Sequence, residues 1–192
     1  MTQAPARRLT DVYVRPCLDA LGLAAQGANT FRLVSETGDA VVVEVQLASA
    51  STRTESRFYI NLALVPLPWL EYMRETRSRE GLSNPRPEEG LVSGRLEPPN
   101  RLQWIVTAEE VDAVGNAVVS GLRETVPSYL ELFDREAFLA ILRQGGPLPG
   151  RCPRRAALAL LLLVTGRTAE ARAALAELAA EDPDSPFVAW FT

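Results

Sequence analysis

Between Thr30 and Val65 the chain carries three runs rich in Val, Ile, Phe and Tyr, at Thr30–Ser35, Val41–Ala48 and Arg57–Val65, and each reads as a β-strand. Gly38-Asp39 supplies turn chemistry between the first two, so a hairpin is expected there and an antiparallel meander overall. Alternation then assigns the faces. Val41, Val43, Val45 and Leu47 share one side with Phe58, Ile60, Leu62 and Leu64, and that side is the expected core. The other side carries Glu44, Gln46, Arg57, Tyr59 and Asn61, with Arg32 as a neighbour.

Helical spacing brackets this sheet. Leu9, Tyr13, Cys17, Ala20 and Leu21 predict a first helix stopped by Gly22, with Pro16 marking a kink or the first turn of a second short helix. Between Leu67 and Arg79 the positions Leu67, Leu70, Met73 and Arg74 predict a short helix on the sheet edge, with Trp69 and Tyr72 as packing residues. Glu80–Asn100, with seven Gly and Pro residues, reads as a long loop, and Arg101–Thr107 as a fourth strand with Leu102, Trp104 and Val106 on one face. Thr107 is the expected N-cap of a helix whose stripe is Val111, Val114, Val118, Leu122 and Thr125 and which Pro127 ends. Ser128 with Glu131 has the form of a capping box, and Asp134 is a cap for a further helix through Arg143. The fold class is therefore α+β: an antiparallel sheet of about four strands flanked by helices, over residues 1–150.

A linker at Pro149, Gly150 and Pro153 precedes an Ala- and Leu-rich tail, residues 151–192, that predicts two helices joined at Thr165-Gly166-Arg167, with Thr168 as the second N-cap. Ala159, Leu162, Gly166, Ala171, Leu175 and Pro183 in this tail give it a resemblance to one tetratricopeptide repeat. One such repeat cannot bury its apolar face alone, so the hairpin is expected to dock on the first domain, with a homodimer through the hairpin or a protein partner as the other solutions.

Composition removes much chemistry. The 192 residues include 20 basic side chains, all Arg, and neither Lys nor His. Imidazole bases, His metal ligands, Ser-His and Cys-His nucleophile pairs and the phosphate-loop Lys are thereby excluded. Cys17 and Cys152 are too few for a thiolate metal site or a disulfide scaffold, so neither metal nor other cofactor is expected. With no apolar signal core and no apolar run approaching about 20 residues, the expected location is a reducing, bacterial cytoplasm and not a membrane. The net charge of −4 falls wholly within residues 108–150, and no quarter of the chain is net basic, which argues against nucleic acid as a partner.

The local patterns also resemble a known family. Arg15-Pro16-Cys17-Leu18 running into Leu21-Gly22-Leu23, Asn29-Thr30-Phe31-Arg32, Val45-Gln46 before a Ser/Thr run and Phe58-Tyr59-Ile60-Asn61-Leu62 carry the first half of the likeness. Arg95-Leu96 or Arg101-Leu102, then Trp104, and Val126-Pro127 with Tyr129-Leu130-Leu132-Phe133 carry the second. Over roughly residues 8–145 the chain resembles the family called domain of unknown function 4304, departing from it at Leu23, where the family usually has Phe. The resemblance implies a helix-flanked antiparallel sheet and no assigned activity, and it places Gln46 and Asn61 where the family also has Gln and Asn.

For an enzyme the only candidates are Glu44 with Arg57 and Tyr59, and no spacing demands catalysis. The expected function is a non-catalytic protein-interaction module. Small-molecule binding on the polar face, through Arg32, Glu44, Gln46, Arg57, Tyr59 and Asn61, is the alternative, together with an immunity-like inhibitor whose acidic window steers a basic toxin.

Overall fold

A computed structural model describes residues 4–76, 84–99 and 101–191. Its centre is an antiparallel sheet of β1 (Ala24–Ala25), β2 (Thr30–Val34), β3 (Ala40–Leu47), β4 (Glu55–Val65), β5 (Val92–Leu96) and β6 (Trp104–Thr107). The strands lie in the order β1-β2-β3-β4, and the far edge of β4 is shared. Its residues 60–64 pair with β5 and its residues 55–58 with β6.

The β3–β4 register follows the expected alternation, with Val41 opposite Leu64, Val43 opposite Leu62 and Val45 opposite Ile60. Those side chains are buried, but Leu47 is 51% exposed, on the part of β3 beyond Glu44 where pairing with β2 has ended and the strand is the sheet edge. Six strands replace the four expected. The two-residue β1 is too short to show a period, and β5 lies inside the stretch read as loop. The remaining part of that reading, residues 80–83 and 100, lies outside the described residues, as do 77–79 of the helix expected to reach Arg79. The last strand starts at Trp104, two residues after Leu102, which is 83% exposed and not part of a buried face.

The first face of the sheet is covered by the N-terminal helical segment and by α4 (Val111–Leu130), which share one buried cluster with Val43, Phe58 and Ile60. The N-terminal segment runs as α1 (Pro5–Leu9), a π-helical turn (Thr10–Val14) and α2 (Arg15–Ala20). Pro16 cannot donate to the turn before it, and the wider π turn immediately upstream accommodates that. The extra residue moves the buried stripe from Tyr13 to Val14. Tyr13 instead lies on α4, where its hydroxyl donates to Asp112 at 2.8 Å and its ring occupies the space a Cβ on Gly115 would need, 2.5 Å away.

Helix α4 differs from expectation at both ends. Thr107 bonds the Glu110 carboxylate (Oγ1 to Oε2, 2.9 Å) ahead of the helix, and Glu110 occupies the cap position. Pro127 lies inside the helix, not at its end, and the Ser128 hydroxyl donates to the Thr125 carbonyl (2.7 Å), so the Ser128–Glu131 capping box is not made. Burial of Val126, Leu122 and Tyr129 holds the last turn in place despite the missing amide. Asp134 does cap α5 (Arg135–Gln144), accepting from the amides of Glu136 and Ala137 at 3.0 and 3.1 Å.

The tail forms α6 (Arg154–Val164), α7 (Thr168–Glu181) and α8 (Pro186–Phe191), with Arg167, one residue before Thr168, at the cap position of α7. Ala157, Ala159, Leu160 and Phe187 belong to the same buried cluster as the sheet's first face. Phe187 and Trp190 of α8 stack against Trp69 and Tyr72 of α3 (Leu67–Thr76), which are packing residues. Helix α3 itself lies over the second face, not at the sheet edge: its Leu70 forms a small apolar cluster with Ala40, Val42, Ala63 and Val65. Among the described residues no helix is long and apolar enough to cross a membrane.

Candidate functional site

Ten residues of helix span about 15 Å, so α3 can cover only one end of the second face. Residue type along the strands follows that cover. Ala40 and Val42 on β3, and Val65 and Ala63 on β4, lie beneath α3, and the next same-face positions are Glu44, Gln46, Asn61 and Tyr59.

Glu44, Gln46 and Asn61, with Arg95 of β5, form the floor of a half-open groove of 1010 Å³. Asn61 is its hub, opposite Glu44 on β3 and opposite Arg95 on β5. Its amide nitrogen donates to Gln46 Oε1 at 2.9 Å and to Glu44 Oε2 at 3.4 Å, and its Oδ1 accepts from Arg95 Nε at 3.1 Å. Both faces of the amide are thereby engaged, and its orientation is set by the network. The Arg95 guanidinium lies over the Tyr59 ring, 4.4 Å from its centroid, so Tyr59 supports the floor from beside it.

Two backbone segments make the walls. Pro87 and Glu88, from a short 3₁₀ turn (Pro87–Glu89), stand on one side. Leu148–Arg151 stand on the other, held to the sheet by a bridge in which the amides and carbonyls of Ser93 and Arg151 exchange bonds of 2.9 and 2.7 Å. Close approach here depends on Gly150, where a Cβ would lie 2.5 Å from the Ser93 carbonyl oxygen and 2.7 Å from the Tyr129 hydroxyl. Tyr129 donates to the Pro149 carbonyl at 3.2 Å, and burial pushes its hydroxyl up to about 12. It therefore serves this wall as a neutral donor.

Of the six residues singled out by alternation, Glu44, Gln46 and Asn61 line the groove, and Tyr59 contacts it through Arg95. Arg57 turns to Glu55, its Nε donating to Oε1 at 2.8 Å, so the Glu44–Arg57–Tyr59 set is not assembled. Arg32 lies apart on β2, where burial pushes its guanidinium below the ordinary value and the charge of buried Glu89 opposes that shift. Arg95, Ser93, Glu97, Glu88 and Arg151 complete the lining. Sequence reasoning does not reach them as site residues, because Glu88 and β5 fall in the stretch Glu80–Asn100 that reads as loop and Arg151 lies in the linker of Pro149, Gly150 and Pro153. The available signals are Arg95-Leu96 as a match to the family pattern and the Ser93-Gly94-Arg95-Leu96 alternation, which Gly94 weakens.

The groove offers hydrogen-bond donors and acceptors and charges of both signs, fixed on strands. Neither Cys17 nor Cys152 lines the groove, and burial raises both thiols, Cys152 to about 11, which suppresses thiolate chemistry. Among the described residues no group of three or more Cys, Asp and Glu side chains is placed to hold a metal ion.

No curated protein and no solved structure matches the chain. A family model does, over residues 14–132, a span that takes in α2, the whole sheet and α4 together with the floor of the groove. On that match the chain belongs to the family described as Domain of unknown function (DUF4304).

Proposed function

We propose that this chain is a non-catalytic interaction module that takes a polar segment of another protein into the groove on the second face of its sheet. The observation that carries this reading is the Glu44–Gln46–Asn61–Arg95 network, which fixes the floor of a 1010 Å³ groove open to solvent along one side. Small-molecule pockets are mostly apolar and enclosed, with volumes of roughly 300–1,000 Å³. This groove is at the top of that range, is lined largely by polar groups and is half open, which suits an extended chain segment better than a buried metabolite.

The test uses tagged full-length chain expressed in its own cells, in wild-type form and as Gln46→Trp. Gln46 is exposed, so the substitution fills the groove without entering the core. A protein retained near-stoichiometrically by wild type and reduced at least about tenfold by Gln46→Trp, a loss of about 1.4 kcal/mol, is the expected result. Equal retention by both forms contradicts the reading.

A second reading, a small polar ligand on the same floor, is supported by the groove's volume. Native mass spectrometry of the same two preparations separates them. A small mass adduct on wild type alone, with no retained protein, favours the ligand.

A further inference from the structure

The groove contains a guanidinium that is held in place yet has no anion. Eight ion pairs engage Arg7, Arg15, Arg57, Arg86, Arg135, Arg143, Arg155 and Arg167, and neither Arg95 nor Arg151 is in an ion pair among the described residues. Arg95 is nonetheless the most constrained exposed arginine of the floor. Its Nε is bonded to Asn61 Oδ1, its plane lies over Tyr59, and Asn61 is fixed in turn by Gln46 and Glu44. Ordering a long side chain costs conformational entropy, and among the described residues no carboxylate pairs with the two Nη groups of Arg95. Arg151 stands opposite Ser93 in an antiparallel bridge, which sets it diagonal to Arg95 on the same sheet face, and both line the groove.

Resting on the groove reading above, we infer that Arg95, with Arg151 beside it, is the seat for a carboxylate of the bound polypeptide, either an acidic side chain or a chain terminus. A guanidinium fork takes a carboxylate through two parallel N–H···O bonds. The surrounding charge selects the carboxylate over a phosphate. Glu44, Glu88 and Glu97 line the same groove, and their repulsion falls about twice as heavily on a phosphate, with nearly two charges, as on a carboxylate with one. The same acids accept from the amides or a basic side chain of the segment that flanks the anchored carboxylate.

The test follows the side-chain Nε–H resonance of Arg95 by heteronuclear NMR on the full chain, assigned by its loss in Arg95→Lys. Four probes are titrated: a blocked pentapeptide, acetyl-Ser-Ala-Glu-Ala-Ser-amide; its Gln counterpart; the Gln peptide with a free C-terminal carboxylate; and inorganic phosphate. The expected result is a saturable shift with at least one carboxylate peptide and, for the blocked Gln peptide, binding at least about tenfold weaker. Saturation by the Glu peptide assigns an acidic side chain, and saturation by the free-terminus peptide assigns a chain end. Arg95→Lys, read through the backbone amides of β5, weakens the favoured peptide about tenfold and Arg151→Gln about threefold. The inference is overturned if neither carboxylate peptide shifts the resonance saturably, if the blocked Gln peptide binds within twofold of the better one, or if phosphate binds tighter than both. The capture experiment keeps the two claims apart. If Gln46→Trp releases the partner and Arg95→Lys does not, the carboxylate seat fails while the groove reading stands.

Discussion

Replacing Asp39 with Ala lowers the unfolding free energy by about 3–5 kcal/mol, the cost of removing one partner from a buried ion pair. Asp39 is 2% exposed at the β2–β3 turn, and three hydrogen bonds from two helices converge on its carboxylate. Arg135 at the start of α5 donates from Nε to Oδ2 at 2.9 Å and from Nη2 to Oδ1 at 2.7 Å, and the backbone amide of Leu67 at the start of α3 donates to Oδ1 at 2.9 Å. One carboxylate thus caps the helix that covers the second face and ties it to α5. Alanine strands the Arg135 guanidinium, which is only 19% exposed, and frees the first amide of α3. Asp39→Asn keeps the shape and part of the hydrogen bonding, so it loses less. Urea unfolding midpoints measure both, and a loss under about 1 kcal/mol for Asp39→Ala contradicts the clamp.

Phe187→Ala costs about as much, roughly 3–5 kcal/mol, through the cavity it leaves. Phe187 is 3% exposed and joins α8 to α3, with ring centroids 5.7 Å from Trp69, 5.1 Å from Tyr72 and 5.1 Å from Phe191. Its loss removes edge and tilted ring contacts as well as buried area. We expect residues 1–150 and 151–192 to unfold together in one transition, in the variant and in wild type alike, because α6 and Phe187 belong to the buried cluster of the sheet. Trp69 and Trp190 fluorescence followed beside far-UV circular dichroism reads this directly. Fluorescence that melts well before the circular dichroism signal would make the tail a separate unit.

What the sequence made legible follows from how local each determinant is. The β3–β4 pairing could be read because Val43–Leu47 and Arg57–Leu62 alternate apolar and polar side chains, and joining their apolar faces sets Val43 and Val45 beside Leu62 and Ile60. The Asp134 cap and the break between α6 and α7 at Thr165–Arg167 were legible within a residue because their signals are local, whereas α8 was not: the tail reads as two helices and the fold has three. β5 was not, since Ser93, Gly94 and Arg95 have little strand propensity and are held by pairing with β4 on one edge and Arg151 on the other. Pro127 and the π turn before Pro16 were misjudged or missed because tertiary burial of Val126, Tyr129 and Val14 overrides a local breaker. Three of the fourteen residues that line the groove, Glu44, Gln46 and Asn61, follow from alternation alone. The others, Arg95 and Arg151 among them, come mainly from a strand and walls that only the assembled fold creates.

The most direct test of the groove as the recognition surface is backbone hydrogen exchange on the full chain with and without the protein it retains in cells. Binding is expected to slow exchange at residues 93–97 and 148–151, where β5 and the wall flank the floor. Slowing confined to α4 or α7, with residues 93–97 and 148–151 unchanged, would contradict it.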